Sequence, residues 1–355
     1  MSLQPVHPDA VPLPAETLTR WAIDCLRTVG LPEADATELA AALVQTNLWG
    51  IDSHGIARLT HYLERIRRGS IKAAPQMELQ RTGPCTALLH GDMGQGHVVA
   101  FRANRVAMDL AREHGIGAVG VTDSSHCGAI GLYAREAARA GLVGIAFTHA
   151  DSVAVPHGGQ RPYFGTNPIA IAFPRAGGEP VCLDMATTSI PMNRVMNARR
   201  EGHPLPPDVA VDAEGRVTTD PHAAIAVTPL GGAQYGHKGY ALAMMVDLLC
   251  GPLLGNPWGR HLSSMYGDLD APRRLGAFFL VLDPARFGGP LLPAMVAQMA
   301  AELAAEPGAP RMPGDPERDN ERARREHGIP IEPELLAEMR RWSERLGVAA
   351  PAWAP

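Results

Sequence analysis

A histidine and an arginine, His54 and Arg58, stand four positions apart in the chain. If a helix begins near Ser53, the two side chains share one helical face. Arg58 could then hold a carboxylate in a bidentate fork while His54 exchanges a proton with the oxygen on the neighbouring carbon. That chemistry interconverts a 2-oxo acid and a 2-hydroxy acid. Ser53 could orient His54 or only cap the helix, and a solvated surface helix would show the same pattern.

A second histidine, His126, follows the apolar run of residues 116–121, which is predicted to be a strand. Residues 123–125, just before His126, are Asp-Ser-Ser. They favour the start of a helix that ends at Gly141. At such a helix start the dipole would lower the pKa of His126 and favour a neutral base beside an anionic ligand. Because the chain contains 14 histidines, an ordinary structural role is an equal alternative.

Two glycine patterns resemble phosphate-binding turns. Residues 115–120 match the dinucleotide fingerprint Gly-x-Gly-x-x-Gly, but these glycines begin and interrupt a strand and do not join a strand to a helix. We therefore interpret them as positions of close backbone packing. Gly94-x-Gly96 precedes a predicted helix over 97–114 and is better placed for an anion, although a simple turn explains it equally well.

Two further charged residues stand at element ends. Asp184 ends an apolar strand, from which carboxylates reach ligands in α/β proteins, but it could equally cap a turn. Lys238 lies between two glycines before a helix, where it could meet a phosphate or carboxylate or remain solvated. No His, Asp or Glu set has convincing metal-ligand spacing, since His90 and His97 form only a weak pair.

The composition predicts a large folded core. The chain has 355 residues, of which 46% are hydrophobic and 19% charged, so we expect two domains or one large domain with an appendage. A net charge of -5 argues against nucleic acid and anionic membrane surfaces as partners. The most apolar stretch, residues 240–255, contains Asp247 and is too short to span a bilayer.

The cysteines predict a reducing compartment. They lie far apart without a C-x-x-C pair, which is typical of free thiols and not of a disulfide framework or a zinc site. Residues 1–16 contain no apolar block of the kind found in signal peptides, so we expect a cytoplasmic protein. The five cysteines are Cys25, Cys85, Cys127, Cys182 and Cys250.

The mixture of strand and helix patterns predicts an α/β fold with helical termini. We expect a helical terminal domain made of residues 1–75 with 290–355, carrying Ser53, His54 and Arg58, and a central α/β domain over 76–289. Residues 1–14 are predicted to be a loose arm, and residues 199–235 a loop region or a small excursion. A Pro-rich link is expected between helices near 291–305 and 332–346.

Five short motifs together resemble the type-2 malate/L-lactate dehydrogenase family. This family also contains ureidoglycolate dehydrogenase, sulfolactate dehydrogenase, diketogulonate reductase and the reductases of piperideine- and pyrroline-carboxylate. The resemblance extends from about residue 15 to about residue 345, with the motifs in the same order. They are Asp52-Ser53-His54-Gly55 with Arg58, Ser125-His126-Cys127-Gly128-Ala129, Gly165-Thr166-Asn167-Pro168, Leu183-Asp184-Met185-Ala186-Thr187 and Lys238-Gly239-Tyr240.

The resemblance implies an NAD- or NADP-dependent oxidoreductase with a cofactor fold unlike the Rossmann type, assembled as a homodimer with its site near the interface. It implies hydride transfer at C2 of a small 2-hydroxy or 2-oxo acid, such as malate, lactate or ureidoglycolate. His54, assisted by Ser53, or His126 would carry the proton, while Arg58, Thr166 and Asn167 hold the substrate. The residues implied at the cofactor are His126, Gly128, Ala129, Ile130, Gly131, Leu132, Asp184, Met185, Ala186 and Lys238.

The sequence departs from the family pattern after Thr188. Residues 191–194 read Pro-Met-Asn-Arg, and Arg194 stands near the position where the imine reductases carry a carboxylate that assists the histidine. This departure favours 2-hydroxy acid chemistry over the alternative, reduction of a cyclic imine carboxylate. Alternatives of other classes are a metal-dependent hydrolase or lyase and a catalytically silent binding protein. Arg199 and Arg200 are candidates for binding the 2′-phosphate of NADP, although clustered arginines are usually solvated.

Overall fold

The computed structural model describes residues 7–351, and its main element is a seven-stranded sheet with the strand order β2-β3-β4-β10-β5-β6-β7. Two short strand pairs, β1 with β11 and β8 with β9, lie outside this sheet. The strands are β1 (Val11–Leu13), β2 (Glu78–Arg81), β3 (Thr86–His90), β4 (Ile116–Ser124), β5 (Val143–Thr148), β6 (Ile169–Phe173), β7 (Val181–Met185), β8 (Ala210–Val211), β9 (Ala226–Val227), β10 (Leu275–Leu282) and β11 (Ile329–Ile331).

Helices form around the sheet and at both ends of the described chain. Most have apolar residues at helical spacing on the face that packs inward. They are α1 (Ala15–Thr28), α2 (Glu33–Leu48), α3 (Leu59–Arg68), α4 (Gly96–His114), α5 (Gly131–Arg139), α6 (Met192–Glu201), α7 (Gly232–Tyr235), α8 (His237–Cys250), α9 (Leu292–Ala305), α10 (Asp315–His327) and α11 (Pro333–Leu346).

The sheet is mixed, which separates this fold from the parallel Rossmann arrangement. Only β3 and β4 pair in parallel, whereas every other neighbouring pair in the seven-stranded sheet is antiparallel. Helices α4 and α5 pack on the sheet and bury a core that includes Val119, Tyr133 and Phe279. The expected α/β class with a non-Rossmann architecture is therefore confirmed.

The glycines of the apparent dinucleotide fingerprint serve close packing. A Cβ atom at Gly117 would lie 2.0 Å from the carbonyl oxygen of Ala107 on α4, and one at Gly120 would lie 2.3 Å from Leu254. Both glycines lie inside β4, so neither opens a helix toward a phosphate. The packing interpretation of this motif is confirmed.

Both ends of the chain contribute to a second hydrophobic core. Helices α1, α2, α3 and α11 surround buried residues that include Leu18, Leu39, Tyr62 and Met339, and the β1–β11 pair completes the cluster. This shared core, whose C-terminal members begin at Ile329, supports our proposal that both ends of the chain form one helical domain, proposed as 1–75 with 290–355, beside a central α/β domain over 76–289.

Several elements differ from the sequence prediction. Residues 11–13 of the predicted loose arm form β1, while its residues 1–6 lie outside the described part of the chain. The predicted loop region begins within helix α6, and the predicted Pro-rich link contains helix α10. Helix α10 is rich in charged residues and lacks an apolar stripe, so hydrophobic periodicity does not reveal it. Helix α6 has only a short apolar spacing, Met192, Val195 and Met196, among charged and polar residues.

Candidate active site

The segment that carries His54 is not the single helical turn predicted from the sequence. Residues Asp52–His54 and Ile56–Arg58 form two separate 3₁₀ turns, and Gly55 separates them with ψ of -145°. A Cβ atom at Gly55 would lie 2.1 Å from the side-chain oxygen of Asn47. The expectation that His54 and Arg58 share an α-helical face is therefore wrong, because Gly55 packs against α2 and breaks the helix.

Arg58 nevertheless reaches the histidine segment. Its Nε donates a hydrogen bond to the carbonyl oxygen of Ser53 at 2.6 Å, and its Nη1 donates to the hydroxyl of Tyr266. Ser53 Oγ lies 2.9 Å from Nδ1 of His54 and does not cap a helix. Of the two roles predicted for Ser53, the structure supports the orientation of His54.

Three residues outside the predicted set hold this segment in place. Arg324 on α10 forms a bidentate pair with Asp52, with distances of 2.6 and 2.8 Å. The amide of Asn47 donates to Asp52 Oδ1 at 2.5 Å, and its oxygen accepts the backbone N–H of Ile56 at 2.7 Å. These contacts compensate for the missing α-helical hydrogen bonds. The sequence gives no sign of the Asp52–Arg324 pair because Arg324 lies far away in the chain.

His126 occupies a loop and not a helix start. Strand β4 continues through Ser124, and α5 begins only at Gly131. The predicted helix start at residues 123–125 is therefore wrong, and a helix dipole is not what neutralises His126. Its pKa is instead lowered well below the usual value by burial, then by repulsion from His54 when that ring is protonated, and by the charge of Arg58. The expected neutral imidazole is present for a different physical reason.

A buried tyrosine holds His126. The hydroxyl of Tyr62 on α3 lies 2.6 Å from Nδ1 of His126, and burial raises the pKa of Tyr62 so that it stays protonated. Tyr62 also packs edge-on against His97, at 5.7 Å between ring centroids. The only sequence pattern that points to Tyr62 is its place on the apolar face of α3, which is also typical of an ordinary core residue.

The two predicted histidines meet. The rings of His54 and His126 stack with centroids 5.6 Å apart and planes inclined by 30°. Burial and the charge of Arg58 lower the pKa of His54 to about 4. Both rings are therefore neutral near pH 7, and both stay partly accessible. The structure thus brings together Ser53, His54, Arg58 and His126, which were predicted from two distant motifs.

The predicted cofactor segment meets Asp184. Residues 128–132 are buried, and Asp184 Oδ2 accepts the backbone N–H of Gly131 at 2.8 Å. Burial raises the pKa of Asp184 to about 6. Within residues 7–351 the second carboxylate oxygen of Asp184 makes no hydrogen bond, so it suits a ribose hydroxyl or a nicotinamide amide. Next to Asp184, Met185 and Ala186 are partly exposed. This donor set fits a nicotinamide dinucleotide.

The remaining predicted residues have more varied surroundings. Asn167 is fully buried, and its amide donates to Ala243 O and Asp247 while its oxygen accepts from Ala150 N. These bonds give Asn167 a structural task. Thr166 is partly buried and Lys238 is exposed in the first turn of α8. Among the described residues, neither side chain has a hydrogen bond that connects it to the two histidines.

The backbone N–H groups of the glycine turn before α4 are already bonded to side chains of the protein. Gln95 Oε1 accepts the N–H groups of His97 and Val98, and Ser125 Oγ accepts that of Gly96. A Cβ atom at Gly96 would lie 2.3 Å from the carbonyl oxygen of Ser125. Of the two roles considered for Gly94-x-Gly96, the structure therefore supports a packed turn over an anion site.

The arginines considered for NADP also have partners. Arg199 donates to the carbonyl oxygens of Pro221 and Ala224, and Arg200 Nη1 lies 3.0 Å from Glu334. Arg194 is exposed on α6. Over the described range 7–351, no carboxylate is hydrogen-bonded to Ser53, His54 or His126, so a Ser-His-Asp relay is not formed.

Comparison with known proteins identifies the family. Residues 13–340 match the family model described as malate/L-lactate dehydrogenase. The chain belongs to the malate/L-lactate dehydrogenase family. Ureidoglycolate dehydrogenase (NAD(+)) of Escherichia coli O157:H7 is 42% identical over 77% of each chain. The (2R)-3-sulfolactate dehydrogenase (NADP(+)) of Chromohalobacter salexigens is 38% identical over 91% of this chain and 94% of that protein.

Solved structures agree with this membership. Malate dehydrogenase from Pyrococcus horikoshii OT3 superposes with a TM-score of 0.88 at 32% identity, covering 98% of this chain and 99% of that one. Delta1-piperideine-2-carboxylate reductase from Pseudomonas syringae pvar. tomato gives 0.84 at 28% identity, covering 94% and 99%. As a malate/L-lactate dehydrogenase family member, the chain is an NAD- or NADP-dependent oxidoreductase acting on the CH–OH group of a small 2-hydroxy acid.

Proposed function

We propose that this family member interconverts a 2-hydroxy acid and its 2-oxo acid at the place where His54, His126 and Arg58 meet. The observation that supports this is the stacked pair of neutral imidazoles, 5.6 Å apart, beside a guanidinium whose charge lowers the pKa of both. A neutral imidazole accepts a proton, and a guanidinium binds a carboxylate. When bound, NAD or NADP supplies the hydride acceptor or donor for C2.

The substrate carboxylate is placed at Arg58, with Thr166 adding a hydrogen bond. Arg58 is partly buried, where a carboxylate bond is stronger than in open solvent. Glycine-rich residues 128–132, Asp184 to Ala186 and the cation of Lys238 are proposed to hold the dinucleotide. His126 lies two positions before residue 128, so one loop would position both the proton carrier and the cofactor.

We assign the proton to His126. Nδ1 of His126 is occupied by Tyr62 and Nδ1 of His54 by Ser53, so the Nε2 atoms are the ones that can meet substrate. Tyr62 is fully buried, which fixes the ring of His126 more firmly than a partly exposed serine fixes that of His54. His54 then stacks on the ring of His126 and, because it is neutral, places no further positive charge beside it.

Single replacements of the histidines test this assignment. His126→Asn should lower kcat about 10²- to 10⁴-fold with a 2-oxo acid and NADH, and leave the Kd of NADH from fluorescence titration nearly unchanged. His54→Asn should lower kcat by a smaller factor than His126→Asn. If His54→Asn lowers kcat more than His126→Asn does, His54 is the proton carrier. Near-normal kcat in both variants would refute the proposed site.

The acid and the cofactor are identified by a panel. NADH and NADPH are each tested with oxaloacetate, pyruvate, glyoxylate and sulfopyruvate. The piperideine-carboxylate reductase among the structural neighbours favours a second candidate function, reduction of a cyclic imine carboxylate. The panel therefore includes Δ1-piperideine-2-carboxylate. We expect the 2-oxo acids to be the better substrates because Arg194, and not a carboxylate, follows Thr188.

We also propose that the protein is a cytoplasmic homodimer with its site near the interface. All five cysteines are free, which supports a reducing compartment. The apolar side chains of Leu242, Met245 and Leu248 on α8 are 40%, 50% and 46% exposed, an arrangement that a second copy could cover. Light scattering should give twice the mass of the chain, and Met245→Lys should shift it toward monomer.

A further inference from the structure

We propose that Tyr266 is a substrate-binding residue whose hydroxyl shares the carboxylate of the acid with Arg58. This inference rests on the proposed function, because it assumes that the carboxylate binds at Arg58. It changes the way in which the guanidinium binds.

Two of the three guanidinium nitrogens of Arg58 have partners. Nε donates to the carbonyl oxygen of Ser53 at 2.6 Å, and Nη1 donates to the hydroxyl of Tyr266. Within the described part of the chain, Nη2 has no hydrogen-bond acceptor. A bidentate fork through Nε and Nη2 of Arg58 would need the bond to Ser53 to break, and a fork through Nη1 and Nη2 would have to share Nη1 with the hydroxyl of Tyr266.

The hydroxyl of Tyr266 can supply the second donor without breaking either bond of Arg58. Its oxygen accepts from Arg58, so its own proton stays available, and no residue in the range 7–351 accepts it. A carboxylate beside Arg58 can therefore accept one hydrogen bond from Nη2 and one from the Tyr266 O–H. Because the Tyr266 oxygen accepts a hydrogen bond from the charged guanidinium of Arg58, its own O–H is a stronger donor to the carboxylate.

The backbone around Tyr266 is held in place before substrate binds. The buried guanidinium of Arg65 donates to the carbonyl oxygens of Met265 at 2.8 Å and Asp268 at 3.1 Å. Asp151 accepts the backbone N–H of Met265 at 3.0 Å. The loop is thus fixed on both sides of Met265, the residue that precedes Tyr266.

The ring of Tyr266 is also directed toward the site. It lies edge-on to His61, with ring centroids 5.4 Å apart, and the Arg58 guanidinium carbon lies 5.8 Å from its centroid. The side chain is nevertheless 52% exposed, so its hydroxyl is reachable by a small acid. A fixed backbone with an accessible hydroxyl is what a ligand-binding tyrosine requires.

The test is Tyr266→Phe in the full-length enzyme. With NADH and the best 2-oxo acid of the panel, KM of the acid and Ki of oxalate should rise about 10-fold or more, because a hydrogen bond to a charged group is lost. We expect kcat to change less than about threefold and the Kd of NADH to stay the same. Tyr235→Phe, at a tyrosine with 56% exposure on α7, should leave all four constants unchanged.

Arg58→Lys separates this inference from the proposed function. If Arg58→Lys raises KM of the acid while Tyr266→Phe leaves KM and Ki unchanged, the role of Tyr266 is refuted and the proposed site stands. If neither variant changes KM, the carboxylate does not bind at Arg58 and both proposals fall. A loss of kcat in Tyr266→Phe at constant KM would also refute a binding role.

Discussion

His54 and His126 lie face to face, with ring centroids 5.6 Å apart, although they are far apart in the chain. His54 belongs to a 3₁₀ turn beside the helical core of the termini, and His126 belongs to the loop after β4 of the central sheet. The pair therefore forms only where the terminal helices pack on the sheet. Each imidazole is neutralised by burial in a low-dielectric place near Arg58.

Replacement of Tyr62 by Phe should uncouple His126 from α3. The hydrogen bond of 2.6 Å at Nδ1 is lost, so we expect kcat to fall about 10- to 100-fold, with stability lower by about 1–3 kcal/mol because a buried group loses its partner. Ser343→Ala is the matched control, since it removes the buried bond of Trp21 Nε1 in the same helical core. Equal loss of activity in both variants would reduce Tyr62 to a stabilising role.

The pH dependence of oxidation should report on Arg58. A nearby guanidinium repels the imidazolium form and so lowers the histidine pKa, and a bound carboxylate compensates part of that charge. The pH profile of kcat describes the substrate-bound enzyme and that of kcat/KM the free enzyme. The acid limb of the kcat profile should therefore lie at higher pH than the acid limb of the kcat/KM profile. In Arg58→Met the acid limb of kcat/KM should move upward. Superimposed limbs in the wild-type enzyme would contradict this electrostatic coupling.

The bidentate pair of Asp52 and Arg324 should act on activity more than on stability. Asp52 is half-exposed, so Arg324→Gln should lower the melting temperature little, but kcat/KM should fall about 10-fold because the turn carrying His54 loses its anchor. Arg325→Gln, which breaks a surface pair with Glu321, is the control. The double variant Asp52→Asn/Arg324→Gln should lower kcat/KM no further than the more impaired of the two single variants. Additive losses of kcat/KM would exclude a shared role.

His97 should make the fold sensitive to acid. It is fully buried, and burial lowers its pKa to about 3, below the unfolded value of about 6.5. The unfolded chain therefore binds more protons below pH 6.5, and this contribution to stability is lost as the pH falls from there toward 3, at up to about 1.4 kcal/mol per pH unit. Urea unfolding of His97→Leu should show a shallower pH slope than the wild type.

Much of the site could be predicted from residue types in short motifs. His54, Arg58 and His126 carry groups that suit proton exchange and carboxylate binding, and those groups have the same chemistry in any fold. Local patterns also predict most central elements: α1, α4, β6 and α8 follow from apolar periodicity and Gly or Pro at their ends. Such features depend on neighbours in the chain, so the sequence contains them directly.

Only the tertiary structure decided which groups touch. The pairing of Asp52 with Arg324, of Tyr62 with His126 and of Arg58 with Tyr266 joins positions far apart in the chain, and no local pattern encodes such distances. The same holds for the neutral state of His126. A helix dipole was the local explanation, but burial and remote charges are the actual cause, because electrostatics acts through space and not along the chain.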